Sequence, residues 1–73
     1  MSLDANYKNS LIKQNLKRII QLEPVINQHI SRLDLCCSNV YDREDAIETI
    51  ANLSNALGQM DSDLLALSSL LDD

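Results

Sequence analysis

Apolar residues recur along the chain in alternating steps of four and three: Ile12, Leu16, Ile19, then Glu23, then Ile26, Ile30, Leu33, Cys37 and Val40. A second row follows the same rhythm through Ala46, Ile50, Leu53, Leu57, Met60, Leu64, Leu67 and Leu71. Steps of four and three are the signature of helices that pack along a heptad seam. Glu23 is the one charged member of either row. The pattern predicts an all-α antiparallel helical hairpin with coiled-coil-like packing.

Between the rows lies SNVYDRED, in which Ser38 and Asn39 suit a helix end and Asp42 suits an N-cap. Glu44 and Asp45 then fall where the positive end of a helix favours acids. The expected arrangement is a single domain, 1–73, with a first arm over about 5–22 and 24–39, a turn at 40–42 and a second arm over 43–71. Pairing the rows about this turn sets Cys37 against Ile50, Leu33 against Leu53, Ile26 against Met60 and Ile19 against Leu67. Ile26, Ile30, Leu33, Leu53, Leu57 and Met60 are the expected core between the arms.

Pro24 interrupts the first arm. Proline removes one helical hydrogen bond, clashes with the preceding turn and restricts the residue before it. Yet Ile19 and Ile26 are one heptad apart, and no Gly, Asn or Ser at 22 or 23 offers a helix end. The first arm is therefore expected to be kinked or briefly interrupted, with a three-helix chain as the alternative. GQMDSD at 58–63, with its weak helix former Gly58 and the cap-like Asp61 and Ser62, marks a second soft stretch at a similar height on the other arm.

Charge is unevenly placed, +3 over residues 1–32 and −8 over 33–73. Two arms of opposite charge suit one hairpin. Lys13, Lys17 and Arg18 would also serve as contacts in an alternative reading, a small RNA-binding hairpin. A net charge of −5 and the scarcity of stacking aromatics weigh against that reading. Asp42, Glu44, Asp45 and Glu48 read first as ordinary charge at a helix start, and otherwise as a surface for a basic protein.

Candidate chemistry is sparse. No phosphate-binding glycine loop, nucleophile elbow or HExxH is present, so neither catalysis nor a cofactor is expected. His29 and Cys36 lie seven residues apart, about 10 Å along a helix, too far to share one ion within one chain. Asp61 and Asp63 lack the remainder of a calcium loop. Adjacent Cys36 and Cys37 make a poor disulfide framework, and no apolar run is long enough for a signal peptide or membrane span, so a reducing, cytoplasmic setting is expected.

What remains is surface. A chain of 73 residues buries little by itself, and each arm carries more apolar side chains than one seam uses. The expected function is protein binding, as an oligomeric adaptor, small chaperone or inhibitor. The partner is either a second copy, forming a helical bundle, or another helical protein. Leu22, Val25, Leu64, Leu65, Leu67, Leu70 and Leu71 are the expected partner-facing residues.

Overall fold

The computed structural model describes residues 5–38 and 42–72. They form two helices, α1 (Ala5–Ser38) and α2 (Arg43–Asp72), packed side by side as an antiparallel hairpin measuring 56 × 16 × 13 Å. Residues 40 and 41 of the expected turn, and residue 39 at the end of the expected first arm, lie outside the described residues. At its edge Asp42 does what its position suggests: its Oδ1 accepts from the Asp45 amide at 3.0 Å, and its carbonyl accepts from the Ala46 amide at 2.9 Å. The Asp42 amide donates to the Cys36 carbonyl at 3.2 Å, tying the start of α2 to the end of α1.

The expected gap between 22 and 24 is absent, because α1 stays helical through Pro24. A helix of 34 residues is about 51 Å long at 1.5 Å per residue, so α1 runs nearly the full 56 Å of the hairpin. The proline is tolerable because of where it points. Pro24 and Ile20 are both exposed, so the Ile20 carbonyl that loses its helical donor opens to water. The second soft stretch is helical too: α2 passes through Gly58, Asp61 and Ser62 unbroken, and nothing lies within 4 Å of where a Gly58 side chain would begin.

Heptad letters describe the packing if Ile12, Ile19, Ile26 and Leu33 are placed at a on α1, and Ala46, Leu53, Met60 and Leu67 at a on α2. The contact between the helices is then made by a and d. The d residues are Asn15, Leu22, His29 and Cys36 on α1, and Thr49, Ala56, Asp63 and Leu70 on α2; each of these a and d residues is buried or half-buried. The e residues Leu16, Glu23, Ile30 and Cys37, and Ile50, Leu57, Leu64 and Leu71, are all exposed.

This corrects the expected core. Its a members hold their place: Ile26, Leu33, Leu53 and Met60 are half-buried, whereas Ile30 and Leu57 stand out in solvent. The fully buried apolar residues are the small ones, Cys36, Ala46 and Ala56, and the deepest side chains of all are Asn15 and Thr49. Register is corrected as well. Cys36 and Arg32 both reach Asp45, and Arg18 and Asn15 both reach Asp63, so the arms are offset by about five to nine residues from the expected pairing. The physical reason is the choice of row: the expected pairing sets a and e residues against each other, whereas the helices meet through a and d.

Candidate functional site: two unlike faces of one hairpin

Rotation about each helix axis decides the surface. Stepping from d past a to e turns by roughly 100°, and because the helices are antiparallel, the two e rows emerge on the same side of the hairpin. A groove on that side is lined by Ile19, Glu23, Ile26 and Asn27 of α1 together with Leu57 and Met60 of α2. Six large apolar e residues, Leu16, Ile30, Ile50, Leu57, Leu64 and Leu71, are between 41% and 65% exposed here. Around them the half-buried a residues fill the floor. Glu23 is the charge at the centre of this face.

The opposite side, built from d and g residues, carries the polar contacts between the helices. Arg18, Gln21, Leu22, Gln59 and Asp63 line one groove on it, and Leu11, Gln14, Asn15, Ala66 and Leu70 continue it toward the open end. Asp63 is buried and meets Arg18 Nε at 3.6 Å and Gln59 Nε2 at 3.2 Å through Oδ1, while its Oδ2 has no partner. Asn15, with its amide turned to satisfy both neighbours, donates to the Asp63 main-chain carbonyl at 2.8 Å and accepts from Arg18 Nη2 at 3.2 Å. A buried Asn and Asp inside a seam set register at a cost in stability.

Nearer the turn a second polar group lies on the same side. Arg32 Nη2 donates to both oxygens of Asp45 at 2.9 Å, and the buried Cys36 thiol donates to Asp45 Oδ2 at 3.3 Å. The Arg32 hydrogen bonds, and then the Cys36 thiol, hold the Asp45 carboxyl below its ordinary 3.8. Burial first, and then Asp45, pushes the Cys36 thiol above its ordinary 9.0. Cys36 is thus a protonated donor and a poor nucleophile, while Cys37 on the apolar side is exposed.

A depressed carboxyl stabilises the fold at pH values above its unfolded pKa and ceases to do so as pH falls through the folded value. Urea titrations between pH 5 and pH 2 are therefore expected to show stability falling less steeply for Asp45→Asn than for the native chain. Equal slopes would mean that Asp45 does not carry its share of the acid sensitivity.

The sequence-predicted partner residues divide among these surfaces. Leu64, Leu67 and Leu71 belong to the apolar face. Leu22 and Leu70 are half-buried in the seam itself, Val25 projects on the polar side, and Leu65 lies on the back of α2. Leu16, Ile30, Ile50 and Leu57, members of the two rows by their spacing, form the exposed part of the face. The basic residues do not form one patch: Lys13 and Lys17 lie one turn apart on the outer side of α1, while Arg18 is drawn to Asp63. His29 is a half-buried seam residue. Among the described residues no group of His, Cys, Asp or Glu is arranged to hold a metal ion, and no helix is long and apolar enough to cross a membrane.

No protein-family model, curated protein or solved structure matches the chain. Its function has to be read from the two faces.

Proposed function

We propose that this chain is a protein-interaction module whose a/e face docks against helices of a partner and completes a four-helix bundle. It would act by binding, as an adaptor, small chaperone or inhibitor, and not as an enzyme. One observation carries the reading: six large aliphatic e side chains are exposed on one face, while the fully buried positions of the seam are held by small and polar residues. In a four-helix bundle each helix aims its apolar stripe at the bundle axis, which lies diagonally between its two neighbours. The a/e stripe points in that direction. Contiguous apolar faces of this extent are uncommon on monomers and mark interaction sites.

The test uses the full chain at high dilution, with helicity followed by circular dichroism. An environment-sensitive dye such as anilinonaphthalene sulfonate is expected to bind the native chain. The double variant Leu57→Asp/Leu64→Asp should lose most of that signal with helicity kept, and Val25→Asp/Leu65→Asp should retain it. Equal loss in both variants would overturn the assignment of the face.

A further inference from the structure

We infer that the occupant of the a/e face is a second copy of this chain, docked face to face with its turn at the opposite end. The inference rests on the reading of that face given above and names its partner.

Size comes first. A standard protein interface uses about 800 Å² from each partner. The broad side of the hairpin, 56 by 16 Å, has a projected area of about 900 Å², comparable in scale, and its apolar e residues run from Leu16 to Ile30 on one helix and from Ile50 to Leu71 on the other. A second copy presents a face of the same length and width, so a two-fold pairing covers both rows at once.

Charge selects the direction. The turn end carries Asp34, Asp42, Glu44, Asp45 and Glu48 against Arg32 and Arg43. Docking two copies with their turns together would stack these acids. With the turns apart, α1 of one copy runs antiparallel to α1 of the other. The edge of the face on α1 is then the series Lys13, Ile20, Asn27, Asp34, spaced by seven and exposed throughout. The series is positive at one end, neutral in its middle and negative at the other. Reversed against itself about that middle, it sets Lys13 of each copy opposite Asp34 of the other and Ile20 opposite Asn27. The middle of the series also matches the middle of the apolar row.

Glu23 lies within a residue of the same level. The two copies therefore place their Glu23 carboxylates in one layer of the interface, where like charges out of water oppose association. The layer makes the dimer weak and reversible.

Lys13 and Asp34 are 21 residues apart in one helix, about 31 Å, so they cannot touch within a chain. Any coupling between them must cross between copies. Sedimentation equilibrium of the full chain from micromolar to millimolar concentration is expected to show monomers of 8.2 kDa giving way to dimers, with the dye signal falling as dimers form. Lys13→Asp or Asp34→Lys alone should weaken dimerisation about tenfold, since each change disrupts two symmetric pairs. The Lys13→Asp/Asp34→Lys swap should restore it. Glu23→Gln should tighten it tenfold or more. A chain that stays monomeric to 1 mM while still binding dye through its a/e face would overturn the second copy as partner and leave the face standing. Dimers that ignore the swap and Glu23→Gln would overturn the antiparallel arrangement. Absence of face-dependent dye binding at dilution would remove the face itself.

Discussion

Replacing Pro24 with alanine stabilises the hairpin by about 2 kcal/mol. Proline inside a helix is about 3 kcal/mol less favourable than alanine, through the missing N–H and the clash with the carbonyl four residues back. Part of the gain is offset because proline also restricts the unfolded chain, worth about 0.4–1 kcal/mol. Nothing else is lost, because Pro24 is exposed on the outer side of α1 and the Ile20 carbonyl regains a donor. Urea denaturation at one fixed chain concentration, followed by circular dichroism at 222 nm, reads the change directly. An unaltered midpoint would mean that α1 has already adapted its backbone to the proline. The same variant also asks whether the proline matters for docking: tighter folding with weaker dimerisation would make Pro24 a shaping element of the face.

The second large effect is also a gain. Asp63→Leu is expected to stabilise the hairpin by about 1–4 kcal/mol, the range seen when buried ion pairs are replaced by well-packed apolar groups. Asp63 is buried with one carboxylate oxygen unpartnered, so its desolvation is incompletely repaid by Arg18 and Gln59. Both of those partners are largely exposed and can return to water, and Asn15 keeps its bond to the main chain at residue 63. A loss of stability instead would show that the Arg18 pair outweighs the orphaned oxygen. The expected price is in specificity: without the Asn15–Arg18–Asp63 layer, sliding by one heptad becomes less costly.

The fold was legible because its evidence is local. The four-three rhythm gives two helices, Asp42 gives the start of the second, and the phase kept between Ile19 and Ile26 argues correctly that the first arm runs on past Pro24. The orientation of the site was harder to read, for a geometric reason. Positions a and d, and positions a and e, have the same four-three spacing and share Ile19, Ile26 and Leu33. Hydrophobicity alone prefers the a/e pair, which is the richer one. The structure pairs the helices through a/d, and the richer row is left facing outward. A signal for this was present in the small and polar residues at intervals of seven, Asn15 and Cys36 on one arm and Thr49, Ala56 and Asp63 on the other. Paired with Arg18 and Arg32, whose charges match Asp63 and Asp45, they would also have given the register. The expected partner-facing residues therefore divide: the row members Leu64, Leu67 and Leu71 lie on the face, and the flanking Leu22, Val25, Leu65 and Leu70 lie elsewhere.

The directional contacts described between the helices, Asn15 and Arg18 with Asp63 and Arg32 and Cys36 with Asp45, share one edge of the hairpin. They act as the spine of a book. Along the opposite edge the helices meet through aliphatic contacts that have no preferred angle and tolerate small changes of spacing. The soft dimension of the molecule is therefore the opening angle between its two covers, and a change in it would widen or narrow the groove proposed for a partner without disturbing the bonds along the spine.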